Sequence, residues 1–212
     1  MDTETNNPKT AALVANGTIS NFEKIGSHVR SFPYVVAVDG GICNCQQMDV
    51  TPNIIIGDLD SAPPELLQQY SDVPQKLFPA NKDKTDLELA IEEAASQGME
   101  RIVIFGALER RMDHSVYNLH LLRRHPGLLS IESEYETLFV IDHTMEVPCQ
   151  QGQTISLIPL GGSVQGVTTK GLKWELNHAT FNRDFMSISN ICLSNSFLVE
   201  VQSGDILCCL CK

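Results

Sequence analysis

From Ala11 to about Ile141, short unbroken apolar runs alternate with segments of helical periodicity: Ala11 to Ala15, Val35 to Val38, Ile54 to Ile56, Ile102 to Phe105 and Leu138 to Ile141. Runs this short and this rich in β-branched residues suit strands covered on both faces, as in a mostly parallel sheet with helices above and below. Thr85 and Glu88 have capping-box spacing ahead of Leu87, Leu89, Ala90, Ile91, Ala94 and Ala95, and Gly98 supplies a stop. That pattern predicts a helix with Asp86 in its first turn. After Glu146 the helical period disappears. Thr154 to Ile158, Leu172 to Leu176, Phe197 to Val201 and Ile206 to Leu210 read as strands, punctuated by Gly161-Gly162 and Gly204-Asp205. Phe197, Val199 and Val201 alternate with Leu198, Glu200 and Gln202, the pattern of a half-exposed antiparallel strand. The expected architecture is α/β plus all-β: an N-terminal Rossmann-like three-layer domain over residues 10–144 and a small C-terminal antiparallel β-sandwich over 145–212.

Composition changes this picture only by exclusion. A chain of 212 residues, 42% hydrophobic and 19% charged, can bury a real core. Its formal net charge of -11 disfavours nonspecific binding to nucleic acid or anionic membrane, because no basic surplus exists to replace phosphate counterions. No apolar stretch approaches the roughly 20 residues needed to cross a bilayer, and Met1 to Lys9 is polar, without a signal-peptide core. A cytoplasmic protein is expected, with no nucleic-acid or membrane partner. The 7 cysteines lack zinc-ribbon spacing and are expected to be reduced, mostly buried thiols.

The candidate chemistry lies where the apolar runs stop. Asp39-Gly40-Gly41 follows Val38, Gly57-Asp58-Leu59-Asp60-Ser61 follows Ile56, and Arg111-Met112-Asp113-His114 lies beyond Phe105. Lys82-Asp83-Lys84-Thr85-Asp86 opens the capped helix. Ligands of open α/β sheets bind beyond the carboxyl ends of the strands, so these clusters converge on one rim. Carboxylates gathered there repel one another unless a hard divalent ion joins them, with magnesium and a polyphosphate the leading expectation. Gly57 lets the backbone turn closely around a ligand, while Gly40 and Gly41 fit either a phosphate approach or a tight turn. There is no Gly-x-x-x-x-Gly-Lys-Ser/Thr loop, no Gly-x-Gly-x-x-Gly after the first run, no Gly-x-Ser-x-Gly elbow and no His-Glu-x-x-His. P-loop, standard dinucleotide, esterase and zincin chemistry are therefore disfavoured.

The ordered set of four acidic clusters, with Asn118 after the last, resembles the thiamine pyrophosphokinase family. So do Ser156-Leu157-Ile158-Pro159-Leu160, Thr169-Lys170-Gly171-Leu172-Lys173-Trp174 and Ser187-Ile188-Ser189-Asn190 in the second half. The resemblance implies transfer of pyrophosphate from ATP, as co-substrate, to the hydroxyl of thiamine, with Mg2+, giving thiamine diphosphate and AMP. It also implies a homodimer with the thiamine site between subunits. Carried over by motif, Asp58, Asp60 and Asp86 would hold magnesium and polyphosphate. Asp39, Gly40, Gly41 and Asp83 would line the nucleotide side. Arg111 and Asp113 would approach the phosphates and the acceptor hydroxyl, with Asn118 behind them. Trp174 would stack on the aminopyrimidine, and Ser187, Ser189 and Asn190 would face its nitrogens.

Alternatives remain at several positions. Arg111 fits a surface salt bridge with Glu109, His114 fits a capping or packing role better than that of a general base, and Trp174 fits a buried core position. Two departures from the family pattern stand out: Glu109 and Arg110 replace glycines, which removes glycine's positive φ range from that loop, and Asn182-Arg183-Asp184-Phe185 lacks a turn glycine. A magnesium-dependent phosphohydrolase and a non-catalytic thiamine-binding protein are the rival functions.

Overall fold

A computed structural model describes residues 9–108 and 110–212. Two compact units emerge, the first running through Asn118 and taking in Ile131–Glu134, the second made of Leu119–Ser130 and Tyr135–Lys212. Most of the polar start, and Glu109, lie outside the described residues.

In chain order the elements that build the first unit are β1 (Thr10–Val14), α1 (Phe22–Val29), β2 (Tyr34–Val38), α2 (Gly41–Gln47), β3 (Ile54–Gly57), α3 (Pro64–Gln69), β4 (Gln75–Leu77), α4 (Asp86–Ser96) and β5 (Arg101–Phe105), followed by α5 (Met112–Arg124) and β6 (Leu129–Glu132). β1 pairs in parallel with β2 and β5, and β3 and β4 extend the sheet in parallel, giving the order β6–β5–β1–β2–β3–β4. Alternate strand positions serve opposite layers. Ala12, Val14, Val35, Ala37, Ile55, Val103 and Phe105 pack with Ile25 and Val29 of α1, Ile42 and Cys45 of α2 and Leu66 of α3. Helix α4 packs against β1, β2 and β3 and buries Leu87, Ala90, Ile91 and Ala94, covering the other face. Each fully buried aliphatic side chain contributes about 1.5–3 kcal/mol, so both faces stabilise the sheet that holds the loops in place. Because β1 to β4 run outward on one side and β5 returns to the other side of β1, the topological switch point lies at the carboxyl ends of β1 and β5.

The second unit contains β7 (Glu136–Ile141), β8 (Met145–Pro148), β9 (Thr154–Pro159), β10 (Val164–Lys170), β11 (Ala179–Phe181), β12 (Ser187–Ile191), β13 (Ser196–Glu200) and β14 (Ile206–Cys211). Antiparallel pairing orders them β12–β9–β14–β7 in one layer and β11–β10–β13–β8 in the other. Ile155, Leu157, Val167, Phe181, Phe197, Val199, Ile206 and Cys208 fill the space between. Phe197 and Val199 point inward as their alternation requires.

Three expectations change. The run Leu138 to Ile141 is not part of the parallel series: β7 pairs antiparallel with β14. An apolar run reports burial on two faces, not the direction of its neighbour. Leu172 to Leu176 forms no strand beyond an isolated bridge from Leu172 to Cys192. Side chains capture the N–H groups that a ladder would need: Gly171 donates to Glu175 Oε1, Trp174 to Asn190 Oδ1 and Leu176 to Thr169 Oγ1. Cys149 and Cys192, 43 residues apart, form a disulfide, which local spacing does not signal. Cys45, Cys208 and Cys209 are free and buried as expected; burial pushes the Cys45 and Cys209 thiols up to about 12, so they stay protonated and unreactive. Among the described residues no helix is long and apolar enough to cross a membrane.

The capping box is as read: Thr85 Oγ1 accepts from the Glu88 N–H at 3.3 Å while Glu88 Oε2 accepts from the Thr85 N–H at 2.9 Å. Gly41 has a different constraint, since a Cβ there would lie 1.9 Å from the backbone oxygen of Val14. A carbonyl at the end of β1 cannot yield, so Gly41→Ala is expected to destabilise the protein by about 1–3 kcal/mol. Urea unfolding checks this through a lower midpoint at unchanged slope; an unchanged midpoint would show that α2 moves freely against β1.

Candidate functional site

Strand β2 delivers Asp39 and β3 delivers Asp58, and the two strand ends are drawn together by a bond from the Asp39 N–H to the Ile56 oxygen at 2.7 Å. A Cβ on Gly57 would stand 3.0 Å from the Asp39 Cβ, so glycine permits this approach. Asp39 and Leu59 both take left-handed conformations, φ 49 and 60. Leu59 is buried between half-buried Asp58 and exposed Asp60. The loop is tied by the Asp60 N–H donating to Asp58 Oδ1 at 3.3 Å and by Ser61 Oγ donating to Asp60 Oδ1 at 3.0 Å.

One carboxylate oxygen from each of Asp39, Asp58 and Asp60 falls within 4.8 Å of the others. Asp39 Oδ1 is buried and has no hydrogen-bond partner among the described residues. A buried, orphaned carboxylate oxygen costs on the order of 1–3 kcal/mol or more unless something satisfies it. Three hard oxygen donors this close together fit a small divalent cation such as Mg2+, and the exposed Asp60 leaves the outer side open to further oxygen ligands.

Asp86 is the first residue of α4 and reaches the same neighbourhood through Lys82. Lys82 Nζ lies 3.3 Å from Asp58 Oδ2 and 3.1 Å from Asp86 Oδ1. Burial is the largest influence on Asp86 and raises its proton affinity; Lys82 opposes this, while the Asp58 and Asp39 carboxylates reinforce it. Burial pushes Asp58 the same way, but the Asp60 N–H and the Lys82 ammonium outweigh it and hold Asp58 below the usual carboxylate range. Lys82 is in turn raised despite burial, by Asp86 and Asp58 together. The nearby Asp83 is exposed.

At the switch point, Ala15 and Gly17 donate to the oxygens of Phe105 and Gly106, at 2.8 and 2.7 Å. Asn44 Nδ2 donates to the oxygens of Ala15 and Gly17, and buried Asn118 Nδ2 donates to the Ala107 oxygen at 2.7 Å, fixing both loops from beneath. Gly40 is buried, and a Cβ on it would meet Asn16 Nδ2 at 2.2 Å. The expectation that the glycine-poor loop forgoes positive φ is overturned: Arg110 adopts φ 48, and its Nη1 donates to Asn16 O at 2.9 Å and Oδ1 at 2.7 Å. Two hydrogen bonds offset the modest cost of a left-handed arginine.

Arg111 pairs with Asp113 rather than reaching inward: Nε donates to Oδ1 at 3.1 Å and Nη2 to Oδ2 at 2.6 Å. That bidentate partner is the first cause holding Asp113 below its usual range and Arg111 above its own. Both side chains are exposed, and His114 beside them is exposed too, so it does not pack.

In the second unit Trp174 is 54% exposed, which rules out the core position, and Lys173 Nζ lies 4.6 Å from its ring centroid. Asn190 is buried with its amide already committed: Nδ2 donates to Trp174 O at 2.7 Å, and Oδ1 accepts from the Trp174 N–H at 3.1 Å. It therefore positions the indole-bearing loop. Ser187 is half-buried beside it; Ser189 is exposed with φ 56, its N–H donating to Ser156 Oγ at 3.0 Å. The missing turn glycine is replaced by Asn182, whose Oδ1 accepts from the Asp184 and Phe185 N–H groups.

The structure thus gathers Asp39, Asp58 and Asp60 directly, and Asp86 through Lys82. Residues the sequence reading assigned no role are Lys82, Asn16 and Asn44. Lys82 stands four residues before Asp86, the one local signal that could have flagged it.

A family model described as thiamin pyrophosphokinase, catalytic domain, matches residues 26–129, and one described as thiamin pyrophosphokinase, vitamin B1 binding domain, matches residues 142–206. The chain is 30% identical over 169 residues to thiamine pyrophosphokinase 3 of Oryza sativa subsp. japonica, covering 73% of this chain and 63% of that protein. It therefore spans under two thirds of that plant relative. It is 25% identical over 200 residues to thiamine pyrophosphokinase of Bacillus subtilis (strain 168), covering 90% of each. The crystal structure of thiamin pyrophosphokinase from Geobacillus thermodenitrificans superposes with a TM-score of 0.84 at 26% identity, over 96% of this chain and 97% of that one.

The raised proton affinity of Asp86 has a consequence for stability. The folded state holds that proton more tightly than the unfolded chain, so the contribution of this group falls as pH rises through the carboxylate range and stays unfavourable at neutral pH. Asp86→Asn is therefore expected to raise the thermal midpoint at pH 7 in metal-free buffer, with the gain shrinking as pH falls below the carboxylate range. Calorimetry at both pH values checks this; a lowered midpoint at pH 7 would contradict it.

Proposed function

As the chain belongs to the thiamine pyrophosphokinase family, we propose that it transfers the pyrophosphoryl group of ATP to the hydroxyl of thiamine, giving thiamine diphosphate and AMP. The observation that carries this reading is the convergence of one carboxylate oxygen each from Asp39, Asp58 and Asp60, beside the fact that Asp39 Oδ1 is buried without a hydrogen-bond partner among the described residues. These residues would hold Mg2+, with Asp86 nearby. When bound, the ion supplies charge neutralisation at the polyphosphate.

The thiamine oxygen attacks the β-phosphorus of ATP as the bond from that phosphorus to the α,β-bridging oxygen breaks, and AMP leaves with the bridging oxygen. Such transfers depend on in-line positioning and neutralisation more than on strong bases. Asp113, freed as Arg111 turns toward the phosphates, suits this: it accepts the hydrogen bond of the thiamine hydroxyl, orients the oxygen, and takes the proton once the new bond is forming. Arg111, released toward the phosphates, offers two parallel donors. Gly40, Gly41 and Asp83 line the nucleotide side, and Asn118 keeps the loop after β5 in register.

Residues 10–144 form the ATP-handling domain and residues 145–212 the thiamine-handling domain in this reading. The exposed face of Trp174 stacks on the electron-poor aminopyrimidine, Asn190 sets the backbone of that loop, and Ser187 and Ser189 offer hydroxyls. A cytoplasmic homodimer is part of the proposal.

Product analysis tests the function. With ATP, Mg2+ and thiamine, AMP and thiamine diphosphate are expected in equal amounts and only when thiamine is present; phosphate release without thiamine would establish a hydrolase instead. Asp58→Asn or Asp60→Asn is expected to lower kcat by about 100-fold or more with little change in thermal midpoint. Near-normal turnover in both would remove the carboxylates from the mechanism. Trp174→Ala is expected to weaken thiamine binding by about 1–3 kcal/mol, a range typical of a flat base stacked on an aromatic. Equal affinities in calorimetric titrations would rule out stacking.

A further inference from the structure

We propose that Lys82 is a built-in counter-cation: it fills a second cation position in the acidic cradle, so that the cradle takes up one divalent ion rather than two. The role of the first ion rests on the functional reading above. The role of Lys82 rests on its own geometry. Its ammonium lies between two carboxylates that come from different elements, 3.3 Å from Asp58 Oδ2 in the loop after β3 and 3.1 Å from Asp86 Oδ1 at the start of α4. Only 14% of its side chain is exposed, unlike Lys84 two residues on, which is 51% exposed and pairs outward with Glu92. The Thr85–Glu88 capping box fixes where α4 begins, and so fixes the short span from Lys82 to Asp86.

Charge and distance point the same way. Asp58 divides its oxygens: Oδ2 meets Lys82, while Oδ1 accepts from the Asp60 N–H. Asp39, Asp58, Asp60 and Asp86 bring four negative charges, of which the ammonium offsets one. One divalent ion on Asp39, Asp58 and Asp60 offsets most of the remainder. Without the ammonium, Asp58 and Asp86 would face each other unneutralised, and a second ion would have two carboxylate ligands waiting. Magnesium or manganese at about 2.1 Å from each oxygen would need both side chains to close in by roughly 1 Å, which rotamer adjustment allows.

The test counts ions rather than turnover, so an enzyme that fails to use thiamine still gives an answer. Mn2+ binding to the full chain, measured from the free-ion paramagnetic resonance signal without ATP, is expected to give one ion per wild-type chain. Lys82→Met, which keeps an unbranched side chain one atom shorter and removes its charge, is expected to bind two, with the second within tenfold of the first in affinity. Adding Asp86→Asn to Lys82→Met is expected to return the count to one, and Lys82→Arg to leave it at one. Should Lys82→Met not fold, as judged by circular dichroism, Lys82→Gln carries the same expectation. A wild-type count other than one, or a count of one in the neutral variant, overturns the proposal.

Discussion

The mutual repulsion of carboxylates at the ends of β2 and β3 is the constraint on which the rest of the site depends. Like charges this close are tolerated only where something else fixes the backbone, and here the parallel sheet does so. The Asp39 N–H is bonded to Ile56, Gly57 allows the strand ends to meet, and buried Leu59 keeps the intervening turn anchored in the core. The apolar layers on both faces of the sheet therefore stabilise a rim that its own electrostatics oppose. Raised proton affinity at Asp86 and an unsatisfied oxygen on Asp39 are the residue of that opposition, the kind of local instability that binding sites retain.

Positive charge is distributed to match. Lys82 is half-buried among the carboxylates, Arg110 is tethered to Asn16 at the switch point, and Arg111 is held by Asp113 at the exposed start of α5. Each cation is occupied by an intramolecular partner. In the proposed reaction a polyphosphate would exchange those partners for its own oxygens, so the charges are oriented before the ligand arrives and little reorganisation remains. The second unit uses the same principle without charge: both ends of the Asn190 amide bond the Trp174 backbone, and the indole is left exposed on a fixed support.

Much of this was legible in the sequence wherever the determinant is local. Thr85 and Glu88 announce the start of α4, and with it the place of Asp86 in the first turn, because a capping box is contained in four consecutive residues. Asp39 and Asp58 follow apolar runs, and strand ends are where α/β sheets present ligands. Determinants set by distant partners were not legible. Leu172 to Leu176 has a strand's composition, yet Asn190 and Thr169 take the Trp174 and Leu176 N–H groups, and Glu175 takes that of Gly171 just before the run. The disulfide joins residues 43 apart, and Arg110 takes a glycine-like conformation where Asn16, in the loop after β1, receives its guanidinium. Beyond its place four residues before Asp86, Lys82 carries no distinguishing pattern until the fold sets Asp58 beside it.

Anomalous diffraction from crystals equilibrated with Mn2+ tests whether these carboxylates hold a cation. A single strong peak is expected within coordinating distance of carboxylate oxygens from Asp39, Asp58 and Asp60. Peaks confined to other surfaces, with those three side chains turned away from one another, would contradict it.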